Sequence, residues 1–348
     1  MQSIRNIFGR ESIININKNH KTRVMFAYTL KKQGCLEGAF SLDHREVPSL
    51  LPHEILVKVK AVSLNPVDLK MRDGKIPIPA NAILGYDLAG IVEGKGTNVE
   101  KFNLGDQVYS AGANPHDKGG SYAEYAVVHE DLAAHKPKNL SFEEAASFPL
   151  VGITAWEALF DKLHLKPGED ILIHAGAGGV GSVAIQLAKY LQAKPYTTIS
   201  NREKEQIVHA LGAEAINYRE QSFVDYATRV GGFSKIFDTV GGSVLADSVR
   251  AVKPYGEIVT ILNLFSDNFN LQEAMMKNIT LHFVMMLLPL RKNMPERMKH
   301  QGEILSMLGK LIEEGHIQPR VVKVFSDFNE AYLYTNAGGL EGKVVVRL

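Results

Sequence analysis

A glycine-rich segment near the middle of the chain limits its possible folds more than any other feature. Gly176, Gly178 and Gly181 fit the pattern G-x-G-x-x-G. The segment follows an apolar run, Asp170 to His174, and opens a helically periodic stretch, Gly179 to Leu191. In that setting the first glycine permits a tight turn, the second allows a pyrophosphate to approach the backbone, and the third brings helix and strand together. The free N–H groups of the helix N-terminus complete an anion site.

Downstream of this loop, apolar β-type runs alternate with helical stretches. One of the helices is predicted over Arg202 to Leu211, where Gly212 ends it. The alternation predicts an α/β domain with a doubly wound parallel sheet. Its further predicted strands are Tyr196–Ile199, Ala215–Ile216, Ile236–Asp238, Glu257–Ile261 and Ile279–Met285.

The region from Val24 to Leu150 has a different texture, with short β-type runs separated by turn residues. It predicts a small, mostly antiparallel domain, in the form of a distorted barrel. Near the other end, Ile304 to Glu314 is an amphipathic helix stopped by Gly315, and Lys343 to Leu348 is a strand that can return to the first domain.

Composition narrows the class of protein. A length of 348 residues suits two domains, and a net charge of +1 gives no indication of nucleic acid or an anionic membrane. The longest apolar run, Ile279 to Leu290, is too short to span a bilayer and is predicted to be a buried strand. Cys35 is the single cysteine, which excludes an internal disulfide and suits a reducing cytoplasmic setting. Residues 1–23 are predicted to be a poorly ordered extension, with a short organellar transit peptide as the alternative.

The choice of nicotinamide cofactor depends on the end of the second predicted strand. NADH sites usually have an acidic residue there, which binds the ribose 2′-hydroxyl. This chain has none, and instead Ser200, Arg202 and Lys204 are placed to bind a 2′-phosphate. The pattern favours NADPH over NADH, and the alternative is a solvated helix start of mixed charge.

Several further segments, taken with the glycine loop, carry a family resemblance. They are Ser63–Asp68, Leu84–Gly90, Gly105–Val108, Gly120–Tyr125 and Pro149–Trp156. The chain resembles the medium-chain dehydrogenase/reductase superfamily, in its zinc-free quinone oxidoreductase branch, from about Val24 to Leu348. The resemblance implies a GroES-like catalytic domain over 24–150 and 290–348, with a Rossmann domain over 151–289 and the extension 1–23 before both. It also implies a cleft between the domains and assembly as a homodimer or tetramer.

The resemblance also implies roles for individual residues. Asn65 matches the asparagine of the cleft. The cofactor-binding positions are Thr154 beside the nicotinamide, Gly178, Gly179 and Val180 at the pyrophosphate, Tyr218 near the adenosine phosphate, Thr239 and Val240 after the fourth strand, and Phe283 and Val284 at the carboxamide.

The chain departs from the zinc-dependent relatives at the metal ligands. Ser63 stands in place of their cysteine, Tyr86 and Asp87 in place of a His-Glu pair, and Leu150 lies where the third ligand would be. A catalytic zinc needs three protein ligands of N, S or O type. The departures therefore predict a site without zinc.

The resemblance implies hydride transfer to a quinone or an α,β-unsaturated carbonyl. Negative charge then collects on the substrate oxygen, and preorganised donors must stabilise it. The Asn65 amide is the first candidate and Ser63 the second, while Tyr86 and Phe265 are candidates for lining an aromatic pocket. The alternatives are a sensor that binds NADP(H), an RNA-binding relative without turnover, and a zinc-free alcohol dehydrogenase.

Overall fold

The structure is a computed structural model that describes residues 23–348, so the predicted extension lies almost entirely outside the described residues. Its strands are β1 (Val24–Leu30), β2 (Phe40–Glu46), β3 (Glu54–Ser63), β4 (Leu88–Lys95), β5 (Gln107–Ser110), β6 (Tyr125–His129), β7 (Ala133–His135), β8 (Asp170–Ile173), β9 (Lys194–Ile199), β10 (Glu214–Asn217), β11 (Phe233–Asp238), β12 (Val252–Thr260), β13 (Thr280–Phe283), β14 (Val321–Phe325) and β15 (Lys343–Arg347).

Its α-helices are α1 (Pro66–Arg72), α2 (Phe142–Ala146), α3 (Pro149–Trp156), α4 (Gly179–Tyr190), α5 (Arg202–Leu211), α6 (Phe223–Val230), α7 (Ser243–Ala251), α8 (Leu271–Met276), α9 (Leu288–Arg291), α10 (Pro295–Glu313) and α11 (Phe328–Asn336). A π-helical turn over Glu157–Lys162 follows α3.

The central domain is built on a six-stranded parallel sheet in the order β10-β9-β8-β11-β12-β13. Numbered within the domain this order is 3-2-1-4-5-6, which confirms the predicted doubly wound Rossmann sheet. The order reverses between β8 and β11, so a crevice for ligands is expected beyond the carboxyl ends of these two strands.

The other large sheet has the order β14-β15-β3-β4-β5-β7, and β6 also pairs with β3. Apart from the parallel pair β14 and β15, its strands run antiparallel, as expected for the GroES-like domain. β15 lies between β14 and β3, so the strand predicted to return to the first domain occupies the inside of its sheet. The proposed division at 150/151 and 289/290 stays a prediction.

Two elements differ from the sequence predictions. α10 begins at Pro295, before the predicted start at Ile304. The prediction missed its first turns because they are charged and lack apolar periodicity, although proline suits the first turn of a helix. The apolar run from Ile279 was predicted to be buried, but β13 is short and lies at the edge of the sheet, where Phe283 is 52% exposed. Within residues 23–348, no helix is both long and apolar enough to cross a bilayer.

Candidate functional site

The glycine loop joins β8 to α4, where the order of the parallel sheet reverses. A Cβ on Gly176 would lie 2.1 Å from Oγ1 of Thr197, and one on Gly181 would lie 2.4 Å from the carbonyl oxygen of Ala175. A Cβ on Gly178 would meet only that carbonyl oxygen, at 3.2 Å, and otherwise enters open space. The left-handed residue of the turn is Ala175, with φ of +53°, so Gly176 is needed for close packing rather than for its backbone angles. The open space at Gly178 fits a pyrophosphate.

The residues expected beside the nicotinamide lie on three elements around this loop. Thr154 is buried in α3, and its hydroxyl donates to the carbonyl oxygen of Leu150. Thr239 follows β11 and donates to the carbonyl oxygen of His174. The next residue, Val240, is 41% exposed. Phe283 and Val284 close β13, and Val284 N–H donates to Thr260 in the neighbouring strand.

The predicted 2′-phosphate residues meet at the carboxyl ends of β9 and β10. Asn217 pairs with Ile199, so Tyr218 and Ser200 leave adjacent strand ends. Lys204 is half-buried and Arg202 exposed, and among the described residues neither makes an ion pair. Glu205 lies 3.6 Å from His209 on the next turn of α5, and the exposed Glu203 makes no ion pair among the described residues. Two cations therefore remain available to an anionic ligand.

His174, directly before the loop, is fully buried and bonded through both ring nitrogens. Nδ1 lies 3.2 Å from Oγ1 of Thr198, and Nε2 lies 3.0 Å from Oγ of Ser248. Burial lowers the pKa of His174 to about 4, partly offset by the charge of Asp238. The imidazole is neutral at physiological pH and serves to hold the loop.

This neutral histidine predicts acid sensitivity. The unfolded chain binds a proton at His174 with a pKa of 6.5 while the folded chain resists it, so stability is complete above pH 6.5 and falls as pH drops towards 4. Between pH 7.5 and 5 the loss is about 2 kcal/mol, at 1.36 kcal/mol per pKa unit. Urea unfolding at both pH values should show a smaller pH difference in His174→Asn than in the wild type. Substitution of the exposed His209 by asparagine is the control. If the unfolding free energy of His174→Asn changes with pH as much as that of the wild type, His174 is not the source of the acid sensitivity.

A buried polar cluster surrounds Asp87 and includes the predicted donors Ser63 and Asn65. Its Oδ2 accepts from the Ser63 hydroxyl and from Nδ2 of Asn65, both at 2.8 Å, and its Oδ1 accepts from the Leu150 N–H at 2.9 Å. Asn65 precedes helix α1, where an asparagine side chain often caps the helix. Here its amide faces Asp87 instead, and Asp68 accepts from the Asn65 backbone N–H.

Lys343 was not predicted and completes the cluster. Its ammonium, from the start of β15, donates to the Leu64 carbonyl at 2.7 Å and to Oδ1 of Asn65, and lies 3.6 Å from Asp87. The Lys343 stem passes beside Gly179, whose Cβ would lie 3.1 Å from it. One side chain thus touches both the pyrophosphate helix and the candidate donor.

Asp68 sets the charge of the cluster. Burial raises the pKa of Asp68 to about 7, although the Asn65 N–H and the charge of Lys343 oppose the rise. Burial also lowers the pKa of Lys343, and this effect is opposed by the two carboxylates. With a pKa near 7, Asp68 carries only part of a negative charge at neutral pH, next to the Lys343 ammonium.

A zinc ion does not fit these residues. Each oxygen of Asp87 already accepts from a protein donor, and the Lys343 ammonium lies where it would repel a metal cation. Ser63 and Leu150 also replace the expected thiolate ligands. No set of three His, Cys, Asp or Glu side chains suited to a metal occurs within residues 23–348.

Tyr86 and Phe265 occupy different surroundings. The Tyr86 hydroxyl is buried and accepts from Nη2 of Arg291, a residue not predicted, at 3.0 Å. Phe265 is half exposed and packs on Phe269 and Phe283. The described contacts do not bring Phe265 to Tyr86, so the predicted shared aromatic pocket stays a prediction.

Two family descriptions match the chain. Residues 51–138 match the alcohol dehydrogenase GroES-like domain, and residues 211–346 match the zinc-binding dehydrogenases. A zinc-type alcohol dehydrogenase-like protein of Staphylococcus aureus is 35% identical over 89% of this chain and 95% of its own length. The 2-methylene-furan-3-one reductase of Solanum lycopersicum is 34% identical, and the chloroplastic NADPH-dependent alkenal/one oxidoreductase of Arabidopsis thaliana is 33% identical. Both comparisons cover 86% of this chain and 73% of the relative.

Solved structures agree with these matches. An alcohol dehydrogenase superfamily protein from Novosphingobium aromaticivorans superposes with a TM-score of 0.86 at 33% identity, covering 93% of this chain and 99% of that one. The quinone oxidoreductase from Coxiella burnetii gives 0.79 at 30% identity, covering 94% and 100%. The Escherichia coli quinone oxidoreductase complexed with NADPH gives 0.78 at 27% identity, covering 93% and 100%.

Proposed function

Since the chain belongs to the medium-chain dehydrogenase/reductase superfamily and resembles its quinone oxidoreductase branch, we propose that it is an NADPH-dependent, zinc-independent reductase of quinones or α,β-unsaturated carbonyls. The observation that carries this proposal is the Asn65 amide held between Asp87 and Lys343. Relatives named 2-methylene-furan-3-one reductase and NADPH-dependent alkenal/one oxidoreductase support the substrate class.

The residues around the glycine loop fit NADPH. The open space at Gly178 and the start of α4 would hold the pyrophosphate, while Ser200, Arg202 and Lys204 would hold the 2′-phosphate. When bound, the dinucleotide supplies the hydride that reaches the conjugated substrate.

The protein then has to stabilise the negative charge on the substrate oxygen. Nδ2 of Asn65 has two N–H groups, one of which is taken by Asp87. The other is the donor for the oxyanion. The Lys343 ammonium on Oδ1 polarises the amide and strengthens this donor, as in other chains of hydrogen bonds.

The same cluster supports the proposed zinc independence. The buried Lys343 ammonium supplies the positive charge that a metal ion supplies in zinc-dependent enzymes. Lys343 acts on the substrate oxygen through the Asn65 amide. The substrate oxygen is therefore stabilised by hydrogen bonding rather than by direct coordination.

The test of the proposal is NADPH oxidation by the purified protein with a benzoquinone, butenone and a saturated aldehyde, each with and without EDTA. Turnover of the quinone or the enone that survives EDTA is the expected result. Turnover of the aldehyde alone would favour a zinc-free alcohol dehydrogenase. Tight NADPH binding without turnover would favour a sensor, and inhibition by EDTA would overturn the metal-free mechanism.

Cofactor choice gives a separate prediction. The double variant Arg202→Ala, Lys204→Ala loses two charge-assisted contacts and should raise the KM for NADPH about 10- to 100-fold, with little change for NADH. Steady-state kinetics with both cofactors measures the ratio. Lys310→Ala, on the exposed face of α10, is the control. Equal losses with NADPH and NADH would place the 2′-phosphate elsewhere.

Assembly as a homodimer or tetramer in the cytoplasm belongs to the same proposal. β13 is an edge strand, and Met276, Phe283 and Met285 nearby are exposed. Unpaired strand edges with apolar neighbours associate readily. We expect a second copy to cover this edge, and light scattering of the purified protein measures the mass of the assembly.

A further inference from the structure

Arg291, in the segment that follows β13, contacts Tyr86, a candidate residue of the substrate pocket. It ends the short helix α9, just beyond β13, and its Nη2 donates to the hydroxyl of Tyr86 at 3.0 Å. Tyr86 is fully buried and directly precedes Asp87, whose carboxylate holds Asn65. The guanidinium therefore contacts the residue that directly precedes Asp87 in the chain.

The charge of Arg291 has no counterion within residues 23–348. Its Nε is buried without an acceptor, and it makes no ion pair. A buried N–H without a partner costs about 1–3 kcal/mol. Arg72 and Arg45 also have a buried nitrogen without an acceptor, but Arg72 is paired with Asp73 at 2.6 Å and the charge of Arg45 acts on the carboxylate of Asp43. Arg291 differs in that its one hydrogen-bond partner among the described residues, Tyr86, carries no carboxylate.

The charge is directed towards the loop that follows β5. Burial together with the positive charge of Arg291 lowers the pKa of His116 in that loop. The Arg291 guanidinium combines an uncompensated positive charge with an unpartnered N–H, and this combination suits binding of an anionic group of a ligand. Guanidinium binds a planar carboxylate through two parallel N–H groups.

We infer that Arg291 selects substrates bearing a carboxylate next to the conjugated carbonyl or quinone ring. The carboxylate would accept from Nε and a remaining N–H of Arg291 while the Asn65 amide holds the reacting oxygen. This inference rests on the proposed function and narrows its substrate class to acidic enones and quinones.

The test compares 4-oxopent-2-enoate with its methyl ester, which has the same enone but no charge. We expect kcat/KM to favour the acid by about tenfold or more in the wild type. Arg291→Gln should lower kcat/KM for the acid about 10- to 100-fold and leave the ester within about threefold. Arg250→Gln, an exposed arginine on α7, is the matched control.

Two further measurements separate the possible outcomes. Tyr86→Phe keeps the Arg291 guanidinium but removes its hydrogen bond to residue 86. If Arg291 acts only through that hydrogen bond, Tyr86→Phe and Arg291→Gln should each lower kcat/KM equally for the acid and the ester. That result, or a wild type without preference for the acid, would overturn the inference. Binding of the saturated 4-oxopentanoate to the NADP⁺-loaded protein tests Arg291 without turnover. Absent turnover with every acceptor would refute the proposed function, while loss of 4-oxopentanoate binding only in Arg291→Gln would still support the anion site.

Discussion

Replacing Asn65 by leucine is expected to lower kcat for enone reduction by about 100- to 1,000-fold, the effect of removing one oxyanion donor from an enzyme. Leucine keeps the volume of the side chain but cannot donate to the substrate oxygen. The hydrogen bonds of the Asn65 side chain go to Asp87 and Lys343 and not to the glycine loop, so the Kd for NADPH should stay within about threefold. Single-turnover rates and NADPH titration by fluorescence measure the two quantities.

Ser63→Ala is the matched control for this substitution. It also removes a donor from Asp87, but in this mechanism it leaves the Asn65 amide in place. We expect Ser63→Ala to lose about tenfold or less in kcat, since the lost hydrogen bond contributes roughly 1 kcal/mol. If Ser63→Ala and Asn65→Leu lose equal activity, Asn65 is not the principal donor.

Replacing Lys343 by methionine should lower kcat about 10- to 100-fold through its effect on Asn65. Methionine retains the apolar stem beside Gly179 but removes the ammonium from Asn65 and Asp87. Breaking a buried ion pair also costs about 3–5 kcal/mol of stability, so urea unfolding must accompany the kinetics. Lys235→Met, which removes a buried lysine paired with Glu257 within the parallel sheet, is the control for stability alone.

A double-mutant cycle distinguishes a positioning role from a structural one. If Lys343 acts through Asn65, adding Lys343→Met to Asn65→Leu should cost little more kcat. Partial recovery of kcat in Lys343→Arg, which restores a cation, is also expected. Fully additive losses would show that Lys343 acts independently of the amide.

The elements that carry the candidate cofactor site were predictable from the sequence because their determinants are local. The glycine loop, the strand before it and the helix after it are contiguous, and the helix Arg202–Leu211 has the predicted bounds. Asn201 caps the start of that helix, and Gly212 ends it in the left-handed conformation. Capping and periodicity act over a few residues, so a single sequence reveals them.

The substrate side of the candidate site was only partly predictable from the sequence, because its contacts join distant segments. Asn65 and Ser63 were proposed through the family resemblance. Lys343 and Arg291 were missed, since they meet partners 278 and 205 residues away. The available signal at Lys343 was a lysine that opens an apolar strand, Val344 to Val346, but nothing local identifies its partner.

The position of β15 inside the antiparallel sheet has a consequence for the order in which the molecule assembles. The contacts of the glycine loop, such as Gly176 with Thr197, close short stretches of chain. The contact of Lys343 with Asn65 closes a stretch of chain that is more than ten times longer. Loop-closure entropy and folding time both rise with such separation.

Asp87 would therefore stay hydrated in a refolding chain until β15 inserts between β14 and β3. Burying that carboxylate earlier, without its cation, is unfavourable. During refolding we expect molecules that bind NADPH to appear before molecules that reduce a substrate. We therefore expect the nucleotide site to form before the candidate catalytic centre during folding, although a single lysine side chain touches both in the finished structure.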